Sequence, residues 1–153
     1  MPKSMSLIEC YDQCVSEGYL IPQQEIDINR IKSMLEIAKD DLESAKELMK
    51  TQKWNTIYKL NYDVLHTLTE ALLRFDRIKS ENHKCLFSFL CAKHPELDFD
   101  WGFFEKIRTK RNGINYYGNP VDSADWKEIE LQLNLYIKTL MKAAEEKLKF
   151  NEI

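Results

Sequence analysis

Residues 27–51 read DINRIKSMLEIAKDDLESAKELMKT, and this stretch decides the fold. Its apolar side chains recur at steps of three and four residues, which is the period of one face of an α-helix. They are Ile28, Ile31, Leu35, Ala38, Leu42, Ala45 and Met49. The opposite face is charged, and Asp27 is a suitable N-cap. The stretch therefore predicts a long amphipathic helix with one side against a core.

The sequence on either side of this stretch predicts further helices. Residues 54–75 form the next one, and the short polar link between the two predicts an antiparallel hairpin. Two shorter helices are expected at about residues 6–17 and 82–93. A fifth begins at 98 or 100 and runs to about 112, and a last one begins at 122 or 123 and runs to about 148. Only 4 Gly and 4 Pro are available for turns. The prediction is an all-α fold, an up-and-down bundle of four main helices with one or two short additional helices.

Length and charge limit the domain count and the class of protein. The 153 residues fit one structural domain, with residues 1–26 as an N-terminal helix and connecting turn and residues 27–153 as the bundle. A net charge of -3 argues against a general nucleic-acid coat but allows a local basic patch. The sequence contains no apolar run long enough to span a membrane, and residues 1–10 lack the apolar stretch of a signal peptide. We therefore expect a cytoplasmic protein without a membrane partner.

The cysteines are Cys10, Cys14, Cys85 and Cys91. In a reducing compartment we expect them to be free thiols, buried as small apolar residues. A zinc site built from Cys10, Cys14, Cys91 and His94 is the alternative, but the spacing matches no familiar zinc motif. We expect neither a metal nor a cofactor.

The densest group of basic, amide and aromatic residues lies at residues 106–117. It contains Lys106, Arg108, Lys110, Arg111, Asn112, Asn115, Tyr116 and Tyr117. Arginine binds phosphate bidentately, asparagine adds donors, and tyrosine can stack on a base. The alternative is a surface charge run at the end of a helix, with its tyrosines packed in the core.

Three short motifs resemble the HEPN-domain family. The stretch Arg111-Asn112-Gly113-Ile114-Asn115-Tyr116 resembles the Arg-Asn-x-x-x-His signature of that family. Residues 54–73, which end in Ala-Leu-Leu, resemble the second long helix of such domains. Residues 82–90, which begin Asn-His-Lys, resemble the Ser-His-Lys opening of the next helix. The resemblance covers residues 27–148 and leaves the first helix as an addition.

The resemblance implies both an architecture and an activity. HEPN domains are helical bundles that often dimerise, so that the Arg-x4-His motifs of two subunits line a shared cleft. Active members are metal-independent ribonucleases, many of them toxins or defence effectors. Other members bind RNA or a protein partner, often beside a small nucleotidyltransferase. In such a site Arg111 would hold the scissile phosphate, and the motif histidine would move the proton of the ribose 2′-hydroxyl.

This chain departs from the pattern at the histidine, whose position is occupied by Tyr116. A tyrosine with a pKa of about 10 is ionised to only about one part in a thousand near neutral pH, so it is a poor general base. Some toxin members carry a modified tyrosine two residues after the histidine, but Gly118 stands there and Tyr117 is one residue early. The three histidines are interpreted as structural, one at the start of the fourth helix, one in a cap-like position at its end, and one partly buried in the middle of the third helix. In that order they are His83, His94 and His66. None forms an obvious pair with Arg111 in sequence.

Three hypotheses follow. The preferred one is a HEPN-like module that binds RNA or a nucleotide with little or no catalysis. Its binding residues are Arg108, Lys110, Asn112, Asn115 and Tyr117, around Arg111 and Tyr116. The second is a metal-independent endoribonuclease that uses Arg111 and Tyr116. The third is a dimeric helical scaffold that holds a partner such as a nucleotidyltransferase, with surplus aromatic surface from Trp54, Trp101, Trp126, Phe103 and Phe104.

Overall fold

The computed structural model describes residues 5–151. Over this range the chain forms six α-helices, two 3₁₀ turns and one short two-stranded ribbon. In chain order the elements are α1 (Leu7–Ser16), β1 (Ile21–Pro22), α2 (Ile28–Leu48), α3 (Trp54–Arg74), β2 (Ile78–Lys79), α4 (His83–Lys93), α5 (Trp101–Tyr117) and α6 (Ser123–Asn151). The 3₁₀ turns are Met49–Thr51 and Pro95–Leu97. The predicted all-α fold is confirmed, and none of the helices described is long and apolar enough to cross a membrane.

Helices α1, α2, α4 and α5 begin at residues whose side chains cap them, whereas α3 begins without a side-chain cap. Ser6 Oγ accepts a hydrogen bond from the Glu9 amide at 3.2 Å, and Asp27 Oδ1 accepts one from the Arg30 amide at 3.0 Å. The same arrangement starts α4 and α5, at Asn82 and Asp100. Each cap satisfies an amide that would otherwise lack a partner in the first helical turn.

Helix α5 is longer than predicted. It was expected to end near Asn112, but it continues through Gly113 to Tyr117. Gly118 ends it in a left-handed conformation (φ 65°), and the amide of Asn119 bonds to the carbonyl of Gly113 at 2.9 Å. Glycine adopts this conformation without the steric cost that other residues meet. The resembled motif therefore lies on regular helix rather than partly in a loop.

Helix α3 is the centre of the bundle. It packs against α2 on one side and α6 on another, and α4 and α5 also contact it. Of the predicted stripe on α2, Ile31, Leu35, Ala38 and Ala45 are fully buried. The rings of Phe87 and Phe104 stack with centroids 4.6 Å apart and join α4 to α5 above α3.

The aromatic residues expected as surplus surface lie mostly inside. Phe103, Phe104 and Trp126 are buried, and Trp54 and Trp101 are half-buried against the core. Phe103, Phe104 and Trp126 belong to the main core, so that expectation was wrong for three of the five. Any exposed apolar surface must come from other side chains.

The expectation of four free thiols was also wrong. Cys14 of α1 and Cys85 of α4 form a disulfide, with Cα atoms 5.6 Å apart. The two are 71 positions apart in sequence, and they meet because α1 folds back along α4. Cys10 and Cys91 are free and buried. Because disulfides are rare in the cytosol, the cytoplasmic location stays a prediction.

Candidate functional site

A group of polar side chains lies where α3, α4 and α5 meet, and we call it the histidine–arginine cluster. Helix α3 supplies polar side chains at three- and four-residue spacing, so that they share one face. The cap at Asn82 places His83 in the first turn of α4, and helix α5 supplies two arginines. The members are Tyr62, Asp63, His66, Glu70, His83, Arg108 and Arg111. Beneath them, the core ring of Phe87 meets the rings of Tyr62 and His66 edge-on, both at 5.9 Å.

Arg111 is a mostly buried cation with an incomplete set of partners. Its guanidinium carbon lies 5.1 Å from the centroid of the Tyr62 ring, a cation–π distance. Its side chain is 17 % exposed, and its nearest carboxylate oxygen, Oδ1 of Asp63, is 4.0 Å away. The Nε atom is buried without a hydrogen-bond partner. Arg108 differs, because Glu105 accepts two hydrogen bonds from it, at 3.0 and 3.1 Å.

His66 and His83 stack on each other beside Arg111. Their ring centroids are 3.8 Å apart. Nδ1 of His66 lies 2.7 Å from Oε1 of Glu70, and because a carboxylate only accepts, the ring nitrogen donates. Nε2 of His66 is buried without a partner. The Tyr62 hydroxyl lies 3.0 Å from Nδ1 of His83.

Burial and neighbouring charge set the protonation of these groups. Burial, with the charges of His66 and Arg111, lowers the pKa of His83 to about 4, so this ring is neutral near neutral pH. Burial raises the pKa of Tyr62, which keeps its hydroxyl protonated and able to donate to His83. Burial also acts to raise the pKa of Glu70, but the hydrogen bond and charge of His66 outweigh it and the pKa is lowered. Glu70 is therefore a carboxylate that orients His66.

The binding residues predicted from the sequence lie on different sides of α5. Arg108 and Arg111 join the cluster, and Asn112 and Asn115 follow them at four-residue spacing. Lys110 faces α6 instead, where its Nζ lies 3.3 Å from Oδ1 of Asp125.

The two predicted tyrosines lie at the exposed end of α5. Tyr116 is 69 % exposed and Tyr117 is 75 % exposed. Residues five positions apart on a regular helix are separated by about 140°, and α5 is continuous from Arg111 to Tyr116. The structure therefore does not bring Tyr116 to the buried guanidinium of Arg111. The catalytic role of Tyr116 and the binding role of Tyr117 stay predictions.

The sequence reasoning missed the histidines of this cluster. His66 and His83 were interpreted as structural because neither lies near Arg111 in sequence. A signal was present, since Tyr62, His66 and Glu70 recur every four residues on the central helix of the bundle. Such a polar row on a central helix indicates either a hydrogen-bonded core network or a site.

Anion binding and proton transfer are the two kinds of chemistry that these groups offer. Arg111 presents guanidinium donors to an anion, and His66 presents a ring nitrogen next to an orienting carboxylate. Within residues 5–151 no group of three or more histidine, cysteine or acidic side chains could hold a metal ion. Comparison of the chain with protein-family models, with curated proteins and with solved structures found no match.

Proposed function

We propose that this protein is a HEPN-like module that binds the phosphate groups of RNA or of a nucleotide at Arg111. The observation that carries the proposal is the incomplete pairing of this mostly buried guanidinium, with Nε unpartnered and Oδ1 of Asp63 at 4.0 Å. Buried charges are normally paired and hydrogen-bonded, because desolvation is costly. A phosphate matches the planar guanidinium in geometry and charge, so a bound phosphate would complete the pairing.

The nearest carboxylate is a weak competitor for this position. The Asp63 side chain is 51 % exposed, and its oxygen lies beyond hydrogen-bond distance from Arg111. Burial raises the pKa of Asp63, and the charge of Arg111 opposes this only in part, as expected for a loose pair. A phosphate oxygen can therefore take the place of the Asp63 carboxylate while Asp63 turns into solvent.

The rest of α5 supplies contacts that suit single-stranded RNA. Asn112 and Asn115 offer amide donors on the side of α5 that carries the arginines. Tyr116 and Tyr117 expose their faces at the end of the helix, where bases can stack on them. With a net charge of -3 on the chain, binding depends on this local group rather than on overall charge.

Anisotropy of a fluorescent single-stranded RNA, measured with the wild type and Arg111→Met, tests the proposal. We expect Arg111→Met to weaken binding by about tenfold or more, because a charged hydrogen-bonded contact is lost. Arg30→Met on the exposed face of α2 is the matched control, since it removes the same charge away from the cluster. Equal affinities for all three proteins would exclude phosphate binding at Arg111.

A dimeric scaffold is a second candidate, favoured by two leucines on α6. Leu131 and Leu135 lie one turn apart and are 84 % and 59 % exposed. Neighbouring exposed apolar side chains often mark a protein interface. The surface would take a second copy of this chain or a partner such as a nucleotidyltransferase, within the toxin–antitoxin or defence setting that the resemblance implies. Light scattering that shows a monomer at micromolar concentration would exclude the homodimer.

A further inference from the structure

We propose that His66 is the general base of an RNA-cleaving site, oriented by Glu70 and working beside Arg111. This inference rests on the proposed function, because it requires RNA to be held at Arg111. It adds a catalytic residue from α3 that the motif on α5 does not contain. Glu70 is a positioning residue, since it acts through the ring of His66.

The first support is the arrangement of the two ring nitrogens of His66. Nδ1 donates to Glu70 at 2.7 Å, which fixes the ring and leaves Nε2 as the atom that can accept a proton. Nε2 is buried and has no hydrogen-bond partner. A carboxylate on one nitrogen and an unpaired second nitrogen is the arrangement that a histidine base needs.

The second support is the position of this ring relative to Arg111. The ring of Tyr62 is a neighbour of both, 6.3 Å from the ring of His66 and 5.1 Å from the guanidinium carbon of Arg111. A phosphate held at Arg111 would therefore bring its attached ribose to the cluster that contains His66. Tyr116 faces elsewhere on α5 and is mostly in solvent.

The third support is the neutral ring of His83. It stacks on His66 at 3.8 Å, and its pKa of about 4 keeps it uncharged near neutral pH. His66 can then take up a proton without a second imidazolium beside it. Because Nε2 of His66 is buried, cleavage requires that bound RNA displaces the stacked His83 ring from its hydrogen bond with Tyr62.

The reaction is cleavage by the ribose 2′-hydroxyl. The 2′-oxygen forms a bond to phosphorus while Nε2 of His66 takes its proton, and the bond from phosphorus to the 5′-oxygen breaks. The 5′-oxygen takes a proton from water, and the imidazolium of His66 returns its proton to solvent. The products are a 2′,3′-cyclic phosphate and a 5′-hydroxyl, and Arg111 stabilises the charge that develops on the phosphate oxygens.

The experiment follows cleavage of a labelled single-stranded RNA in EDTA, with binding measured on the same proteins. The variants are His66→Gln, Glu70→Gln, Tyr116→Phe and Arg111→Met, and Arg30→Met is the control outside the cluster. The DNA of the same sequence lacks the 2′-hydroxyl and is the substrate control. Circular dichroism and thermal melting verify that each variant is folded.

We expect His66→Gln to slow cleavage by about 10²–10⁴-fold and to change RNA affinity by less than about threefold. Arg30→Met, which removes a charge on the exposed face of α2 away from the cluster, leaves the rate unchanged, and the DNA is not cut. Glu70→Gln moves the acidic limb of the pH–rate profile to lower pH, because a neutral amide no longer stabilises the imidazolium. A purely structural role for Glu70 would lower the rate without moving the profile.

Three outcomes overturn the inference. Full cleavage by His66→Gln removes His66 as the base, and loss of cleavage in Tyr116→Phe alone assigns that role to Tyr116. A wild type that binds RNA through Arg111 without cutting it overturns catalysis and leaves the proposed function intact. A wild type that does not bind RNA overturns both.

Discussion

The imidazole ring of His66 stacks on the ring of His83 with 3.8 Å between centroids, although the two residues come from α3 and α4. Two imidazolium rings at this separation would repel each other strongly in a partly buried site. His83 is therefore the neutral member near neutral pH, because burial and the charges of His66 and Arg111 lower its pKa. Because the ring of His66 packs edge-on against the core ring of Phe87, a charge on its stacked partner His83 affects stability as well as chemistry.

The neutral state of His83 predicts a loss of stability in acid. Its folded-state pKa of about 4 lies below the ordinary value of 6.5, so the unfolded chain binds the proton first. The contribution of neutral His83 to the unfolding free energy is complete above about pH 6.5 and is lost as the pH falls toward 4. We expect the unfolding free energy of the wild type to fall by about 3 kcal/mol more than that of His83→Asn over this range. Urea denaturation at several pH values measures it, and parallel curves for the two proteins would contradict it.

Arg111 is expected to lower the stability of the unliganded protein. Its mostly buried charge has an unpartnered Nε and only a distant carboxylate. Replacing such a charge by an apolar side chain of similar length is often neutral or stabilising. We expect Arg111→Met to leave the unfolding free energy unchanged or to raise it by about 1 kcal/mol. Thermal melting without ligand tests this, with Arg108→Met as the comparison: that variant leaves Glu105 unpaired and should be less stable than the wild type.

The helices could be predicted from sequence because their determinants are local. Asp27 caps α2 as predicted, and the stripe from Ile31 to Ala45 packs as its spacing requires. The end of α5 was placed too early because Asn112 and Gly113 together resemble a helix stop. The left-handed conformation that ends the helix is taken by Gly118 instead.

The site could be predicted only in part, because it joins residues from three helices. Arg108 and Arg111 were identified from local charge density, whereas His66 and His83 required knowledge of how α3, α4 and α5 pack. The same limit applies to Cys14 and Cys85, which only the docking of α1 on α4 brings together. Helical spacing shows which residues share a face of one helix but not which faces meet.

The disulfide between Cys14 and Cys85 predicts a redox dependence of stability. It closes a loop of 71 positions, and the chain-entropy relation gives about 4 kcal/mol of stabilisation for a loop of this length. We expect a reductant to lower the unfolding free energy of the wild type by about this amount and to leave Cys14→Ser/Cys85→Ser unaffected. Peptide mapping of the oxidised protein should recover the Cys14–Cys85 link. Four alkylatable thiols in protein unfolded without reductant would contradict it.

His94 predicts a pH dependence of the opposite sign to that of His83. The ring is buried at the end of α4, with Nε2 2.5 Å from Oδ2 of Asp76 and Nδ1 3.0 Å from Oε1 of Glu96. The hydrogen bond to Asp76 outweighs burial and raises the pKa of His94 above its ordinary value of 6.5. Because the folded state holds this proton more tightly, the stabilisation is complete below about pH 6.5 and is lost as the pH rises through the folded-state pKa.

The variant that tests this is His94→Gln, which keeps a hydrogen-bond donor but cannot carry a charge. We expect it to lower the unfolding free energy by about 2 kcal/mol in mild acid, the contribution of hydrogen bonds to a charged group, and by less in base. Asp76→Asn should remove most of the same pH dependence, because it eliminates the carboxylate that holds the proton. NMR titration of the His94 ring measures its pKa directly, and a value at or below the ordinary one would contradict the charged bridge between Asp76 and Glu96.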